Sequence, residues 1–224
     1  GIADPAAWIQ IGDIVSEGIS APGEVDEFSF SAAAGQSIFV DFQPPTTWPL
    51  TAKLLGPGGE TVYAGNNTLL DTLDSGPLTL AAAGTYTLQV ASQGTSTPAY
   101  RFQLWEVPAT AVYDTQIGEV NQGRIPSPGA AEEWRFEVAA GQSVYVDFQA
   151  TGGNAQLQTQ LLAPDGGAVY SRNGFVGDAL DRGPLTLAAG GTYTLRVNGY
   201  GDDTTSSYAF QVWDVPADRQ QQIP

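Results

Sequence analysis

Two stretches of the chain, residues 26–43 and 132–149, carry the same alternation of apolar and polar positions. In each stretch the alternation stops at the small-residue turn Ala-Ala-Gly-Gln-Ser and then resumes. Alternation with a period of two is typical of a half-buried strand. A short glycine-containing gap between two such runs predicts a β-hairpin. The inner face of the first hairpin is expected to carry Phe28 and Phe30, and that of the second hairpin Trp134 and Phe136.

The repetition extends over most of the chain, as short apolar-polar runs separated by Gly- and Pro-containing turns. At 54–59 and 161–166 the order of Pro and Gly predicts a tight turn, because Pro fixes φ and Gly accepts a positive φ. The pattern favours an all-β fold with two tandem antiparallel jelly-roll-like β-sandwich domains. The inward positions predict these core residues: Phe30, Val40, Tyr86, Phe102, Phe136, Val146, Tyr193 and Phe210.

The matching segments also predict the domain boundaries. We expect an N-terminal linker or strand over 1–10, a first β-sandwich over 11–109 and a linker over 110–116. A second β-sandwich is expected over 117–217, and the start of a linker to a further repeat over 218–224.

The closing strand of each repeat is followed by the same short motif, Trp, an acidic residue, Val, Pro and Ala. Because Pro cannot donate to a strand ladder, Pro108 and Pro216 predict where pairing stops. We expect Trp105 and Trp213 to pack between neighbouring repeats, since one aromatic ring removes enough surface to fix an interdomain angle. The four residues are therefore predicted to be interdomain residues.

The charge balance narrows the classes of partner. Eight basic residues face 24 acidic ones, which gives a net charge of −16. Nucleic acids and anionic lipids require clustered cations, so neither is an expected partner. No apolar run approaches the roughly 20 residues of a membrane-spanning helix, and membrane insertion is not expected.

The order and spacing of the motifs resemble those of the bacterial pre-peptidase C-terminal domain. The resemblance rests on the acidic-aromatic-x-Phe motif at 27–30 and 133–136, and on the Leu-x-x-Pro-x-Gly turns. The Gly-Thr-Tyr-Thr-Leu-x-Val strands at 84–90 and 191–197 complete it. The resemblance implies a jelly-roll-like sandwich in exported bacterial proteins, as an appended module. Some relatives bind calcium, collagen or polysaccharide.

Paired aspartates precede the same strand in both repeats. They are Asp71 and Asp74 in the first repeat, and Asp178 and Asp181 in the second. Oxygen-rich loops can bind Ca²⁺, which takes six to eight oxygen ligands, so these residues are candidate metal ligands. The alternative is that they are ordinary turn and capping residues. No cofactor is required by the sequence, with calcium as the open possibility.

Two exposed-looking aromatic residues are candidate ligand-binding residues. Trp48 lies in a Pro-rich loop that the second repeat lacks, and Tyr200 lies in an Asn-Gly-Tyr-Gly turn. Either ring could stack on a sugar. Asp41 and Asp147 stand in the middle of strands at positions that should face outward, so a solvated location is expected for both.

The chain has no histidine, which removes the commonest general base and the Ser-His-Asp arrangement. We therefore expect a protein that is not an enzyme. The leading hypothesis is an extracellular or cell-surface bacterial segment that serves as a structural spacer or adhesive module, with neighbouring repeats as partners. The alternative is a carbohydrate- or peptide-binding module, with a surface glycan or protein as partner.

Overall fold

The computed structural model describes residues 6–43, 49–67, 73–149, 155–201 and 204–216. The chain divides into two compact units, Gly1–Pro108 and Ala109–Pro224. They are called unit 1 and unit 2 below. Within the described ranges, no helix has the length and hydropathy needed to cross a membrane.

Unit 1 is built from two sheets that enclose one core. Its strands are β1 (Ala7–Trp8), β2 (Ile14–Gly18), β3 (Val25–Ala32), β4 (Ser37–Phe42), β5 (Leu50–Leu55), β6 (Thr61–Asn67), β7 (Leu78–Thr79), β8 (Gly84–Ser92) and β9 (Ala99–Glu106). One sheet has the order β1-β3-β8-β5-β6 and the other the order β2-β9-β4-β7. All neighbouring strands are antiparallel except β1 and β3, which are parallel.

Unit 2 repeats this arrangement. Its elements are β10 (Ala111–Asp114), β11 (Val120–Ile125), β12 (Ala131–Val138), β13 (Ser143–Gln149), β14 (Gln156–Leu162), β15 (Ala168–Phe175), the 3₁₀ turn Asp178–Leu180, β16 (Arg182–Thr186), β17 (Gly191–Gly199) and β18 (Ser206–Asp214). The sheets have the orders β10-β12-β17-β14-β15 and β11-β18-β13-β16. The predicted all-β class, with two tandem antiparallel β-sandwiches, is confirmed.

The alternation of the strands explains where the core lies. Along β8, Tyr86, Leu88 and Val90 are buried, while the residues between them are more exposed. Each apolar row therefore faces the second sheet of its own unit, which removes it from water. Every predicted core residue is buried, so that prediction is confirmed for the following positions: Phe30, Val40, Tyr86, Phe102, Phe136, Val146, Tyr193 and Phe210.

The predicted hairpin of residues 26–43 is wrong, as is its copy at 132–149. Strand β3 pairs with β1 and β8 in one sheet, whereas β4 pairs with β7 and β9 in the other. The turn between them carries the chain from one sheet to the other, and β12 and β13 repeat this path. Both strands still turn their apolar rows towards the same core, because that core lies between the two sheets.

The predicted turns at 54–59 and 161–166 do close hairpins. Strand β5 pairs with β6, and β14 pairs with β15. Gly59 and Gly166 have φ values of 82° and 84°, the left-handed region that glycine enters without steric cost.

The segment 110–116, predicted as a linker, differs in the structure because it contains β10. This strand pairs in parallel with β12, in a register that places Tyr113 opposite Trp134. The segment 1–10 likewise contains β1, which pairs with β3. A strand was one of the two predictions for 1–10, whereas the sequence pattern misses β10 because it is short and forms the edge of its sheet.

Candidate functional site

Of the two aromatic residues predicted to bind a ligand, the structure describes only one. Trp48 lies outside the described residues. Tyr200 lies at the turn after β17, and 45% of its surface is exposed. Its backbone N–H donates to the carbonyl of Gln156 at 3.0 Å, and its own carbonyl accepts from the Thr204 hydroxyl at 3.2 Å. The backbone of Tyr200 is thus fixed by the turn while its ring faces solvent.

The second aspartate of each predicted metal pair binds a backbone amide. The Phe42 N–H donates to Asp74 Oδ1 at 2.7 Å, and the Phe148 N–H donates to Asp181 Oδ1 at 2.7 Å. The same contact in both units shows what these carboxylates do in the fold. Each ties the segment before β7 or β16 to the neighbouring strand of the four-stranded sheet.

Of the first aspartates of the two pairs, only Asp178 lies within the described residues. Asp71 is outside the described residues, and Asp178 is an exposed residue at the start of the 3₁₀ turn. Burial raises the pKa of Asp181, and the nearby charges of Asp147 and Asp178 raise it further. In the part of the chain that the structure describes, no group of three or more carboxylates is arranged to hold a metal ion.

The two junction tryptophans bind the mid-strand aspartates of their own units. Trp105 Nε1 donates to Asp41 Oδ2 at 3.0 Å, and Trp213 Nε1 donates to Asp147 Oδ2 at 3.1 Å. The expectation that Asp41 is solvated is wrong, since only 8% of its surface is exposed. The outward face of each four-stranded sheet therefore carries a Trp–Asp pair that sequence reasoning treated as two unrelated features.

Pro108 and Pro216 are exposed and directly follow a buried valine. The N–H groups of Val107 and Val215 still donate to carbonyls at the start of β4 and β13, at 2.9 and 2.8 Å. Hydrogen bonding of the closing strand to its neighbour thus reaches the valine, the last residue before each proline.

A cavity opens on the same side of each sandwich, beside the first strands of the two sheets. We call these the lateral cavities. The cavity of unit 2 has a volume of about 510 Å³ and that of unit 1 about 530 Å³. In unit 2 the lining residues are Tyr113, Gln122, Gly123, Arg124, Glu132, Ser207, Tyr208 and Ala209.

A buried carboxylate, that of Glu132 on β12, forms the inner wall of the cavity of unit 2. Only 7% of Glu132 is exposed. Its Oε2 atom accepts from the Tyr208 hydroxyl at 2.5 Å and from the Arg124 backbone N–H at 3.0 Å. Its Oε1 atom accepts from the Tyr113 hydroxyl at 3.3 Å. Three donors from three different strands thus fix the carboxylate.

Aromatic rings surround this carboxylate. The ring of Tyr113 stacks on Trp134 with centroids 4.5 Å apart and planes inclined by 28°. Trp134 Nε1 in turn donates to the Tyr208 hydroxyl at 2.8 Å. The charge of Glu132, together with partial burial, raises the pKa of Tyr113, and burial followed by the hydrogen bond to Glu132 raises the pKa of Tyr208. Both hydroxyls therefore remain protonated donors at neutral pH.

Glycine at position 123 makes room for the carboxylate. A Cβ atom on Gly123 would lie 2.3 Å from Glu132 Oε2 and 2.3 Å from the Tyr208 ring. These distances are far below van der Waals contact, so any other residue at this position would displace the inner wall.

The lateral cavity of unit 1 has the same position but another lining. The Tyr100 hydroxyl donates to Asp26, as Tyr208 does to Glu132. The matching strand registers place Ala7 where unit 2 has Tyr113. The lining residues are Ala7, Glu17, Gly18, Ser20, Glu24, Asp26, Glu27, Phe28 and Tyr100. This cavity is strongly acidic, whereas the lining of unit 2 combines tyrosine rings with one carboxylate, that of Glu132.

Sequence reasoning missed both lateral cavities. The residues that build each one come from strands at opposite ends of a repeat, such as Glu132 and Tyr208, which are 76 positions apart. One signal was available, because an acidic residue before the aromatic-x-Phe motif and a tyrosine in the closing strand occur together in both repeats.

No protein-family model matches the sequence, and no curated protein matches it. Among solved structures, the chain is similar to the pre-peptidase C-terminal domain of a Bacillus anthracis collagenase. The TM-score is 0.34 and the identity 13%, over 47% of this chain and 97% of that domain. That domain belongs to the family whose motifs the sequence resembles.

A second similar structure is the periplasmic inhibitor of g-type lysozyme from Aeromonas hydrophila. The TM-score is 0.34 and the identity 15%, over 46% of this chain and 99% of the inhibitor. A third is the tandem CBM22-1–CBM22-2 domain from Paenibacillus barcinonensis Xyn10C, with a TM-score of 0.25 and 12% identity, over 93% of this chain and 99% of that chain. At these identities the likeness concerns the fold alone.

Proposed function

We propose that the chain is a non-catalytic tandem segment of a larger extracellular or cell-surface bacterial protein, in which it acts as a structural spacer or adhesive module. The observation that carries this proposal is the short path between the units. The N–H of Val107 is still hydrogen-bonded within unit 1, and β10 of unit 2 begins at Ala111. Only residues 108–110 lie between these two points, and three residues span at most about 11 Å.

Such a path suits a spacer, because a force along the chain passes from one folded sandwich to the next through very little unstructured backbone. Among the described residues, the first and last strands of each unit are paired within its sheets. In unit 2, β10 pairs with β12, and the closing strand β18 pairs with β11 and β13. The net charge of −16 also suits this role, because a strongly charged surface stays solvated and resists aggregation.

The proposal is tested by stretching single molecules of the full chain between handles at its two ends. A spacer made of two sandwiches should unfold in two separate events. Each event should lengthen the chain by about 35 nm, since about 100 residues are released at up to ~3.6 Å each. A control in which a flexible Gly-Ser segment is inserted after Pro108 should keep both events and add only its own length. One merged event, or extension without resistance, would contradict the spacer role.

A further inference from the structure

The lateral cavity of unit 2 has the size and lining of a site for a small polar ligand. Its volume of about 510 Å³ falls within the usual range of ligand pockets, roughly 300–1,000 Å³. It lies beside the edge strands β10 and β11, each of which pairs with one neighbour only. Neither strand therefore needs to separate from a partner to admit a ligand.

The exposed ring of Tyr113 provides a flat apolar surface in this cavity. About 40% of the residue is exposed, although its ring stacks on Trp134 and its hydroxyl donates to Glu132. Two contacts thus fix the orientation of the ring before any ligand binds, which lowers the entropy cost of binding. A flat, fixed aromatic face suits a ligand with an apolar C–H face of its own.

The carboxylate of Glu132 still has room for one more donor. A carboxylate offers about four lone-pair positions, and three donors from the protein occupy positions on Glu132. The remaining position, on Oε1, lies beside the hydroxyl of Tyr113. A hydroxyl group of a ligand that stacks on Tyr113 would be within reach of this oxygen.

The charge of Glu132 favours a neutral ligand over an anionic one. An anionic ligand would meet the buried carboxylate of Glu132, and Arg124 contributes its backbone N–H to this wall as a donor to that carboxylate. A neutral polyol can donate a hydroxyl to this carboxylate without the repulsion that an anionic ligand would meet. A pyranose sugar combines such hydroxyls with the apolar ring face that Tyr113 requires.

We propose that the lateral cavity of unit 2 binds a sugar residue of a neutral oligosaccharide, with its ring on Tyr113 and a hydroxyl on Glu132. Unit 1 does not share the site, because Ala7 stands where unit 2 has the aromatic ring of Tyr113. The proposal goes beyond the spacer role and assigns the adhesive contact to unit 2 alone.

Calorimetric titration of the full chain tests this proposal. The probes are soluble hexasaccharides of glucose in α-1,4 and β-1,4 linkage, and those of β-1,4-linked xylose, mannose and N-acetylglucosamine. At least one should bind with a Kd in the millimolar range or tighter. Tyr113→Ala should weaken that binding about tenfold or more, because the stacking surface is lost.

Tyr200→Ala is the matched control, since it removes a similarly exposed ring from a turn of the same unit. It should leave the Kd unchanged, and a cooperative melting transition above the temperature of the titration would show for each variant that it is folded. Glu132→Gln keeps one oxygen acceptor and should weaken binding less than Tyr113→Ala. The proposal is overturned if no probe binds, if Tyr113→Ala binds like the wild type, or if Tyr200→Ala loses binding instead. None of these results bears on the stretching experiment, so the two proposals fail independently.

Discussion

Single polar side chains complete the hydrogen bonding of the smaller sheet where a strand is too short to do so. Strand β7 has only two residues, and it pairs with β4 only at Ser37 and Ile38. Further along β4, the Val40 N–H donates to the Ser75 hydroxyl at 2.9 Å and the Phe42 N–H donates to Asp74 at 2.7 Å. These side chains replace the ladder, because a buried N–H without an acceptor is costly.

Asp181 performs this task in unit 2, and its replacement has a defined cost. Asp181→Ala leaves the Phe148 N–H without its acceptor and should lower the free energy of unfolding by about 1–3 kcal/mol. Asp181→Asn keeps an oxygen at the same place and should cost less. Urea unfolding of both variants at neutral pH measures the difference. Equal costs for the two variants would show that the amide contact contributes nothing.

The stability of the wild type relative to Asp181→Asn should also depend on pH. Because the pKa of Asp181 is raised in the fold, the folded state holds its proton more tightly than the unfolded state. The contribution of this group to stability is therefore fully present below the unfolded pKa and is lost as the pH rises through the folded pKa. On acidification through that window, the wild type should gain stability relative to Asp181→Asn. A difference that is constant with pH would contradict this.

How far the sequence predicts single residues depends on what they contact. Core residues such as Phe136 follow from alternation alone, because an inward position in a strand has only the core to face. Asp41 does not follow, because its burial is caused by the indole of Trp105, which is 64 positions away. Glu132 is missed for the same reason. Alternation predicts on which face of the sheet a side chain lies, but it does not predict which residue that side chain contacts.

At the scale of elements, the sequence predicts strands well and connections less well. A tight turn between two alternating runs fits both a hairpin and a crossing between sheets, since the inward rows are the same in both. The turn before β4 is held by Gly35, whose N–H donates to the Leu80 carbonyl at 2.7 Å. That contact belongs to a loop far along the chain, so the local pattern cannot separate the two paths. The β5–β6 hairpin is predictable because its turn residues, Pro57 and Gly59, act locally.

The short strand β10 offers a test at this scale. A fragment that begins at Ala109 retains β10, whereas one that begins at Thr115 loses it together with the stacking of Tyr113 on Trp134. The shorter fragment should be less stable by at least about 1 kcal/mol, because the aromatic contact and the edge pairing are both lost. Chemical denaturation of the two fragments measures this. Equal midpoints and slopes would show that 110–116 behaves as the linker that the sequence predicts.

At the scale of the whole molecule, each sandwich has a separate core and a separate set of buried hydroxyls. Burial and carboxylate neighbours raise the pKa values of Tyr100 in unit 1 and Tyr208 in unit 2. Burial likewise raises the pKa values of Tyr63 and Tyr170 to about 12. Both units thus contain phenols that resist ionisation while they are folded, and the acidic partners Asp26 and Glu132 increase that resistance.

This distribution predicts the behaviour of the chain in alkali. An unfolded tyrosine ionises near pH 10, and a raised folded pKa means that the folded state keeps its proton longer. The stability that these groups contribute is complete below about pH 10 and is lost as the pH rises towards the folded values. The chain should therefore unfold cooperatively above about pH 10, and the phenolate absorbance should rise together with the loss of the near-ultraviolet circular dichroism.

Tyr208→Phe removes one such group and the donor to Glu132, and it should reduce the steepness of the transition. Smooth ionisation of all nine tyrosines with an unchanged dichroism spectrum would contradict the burial of these hydroxyls.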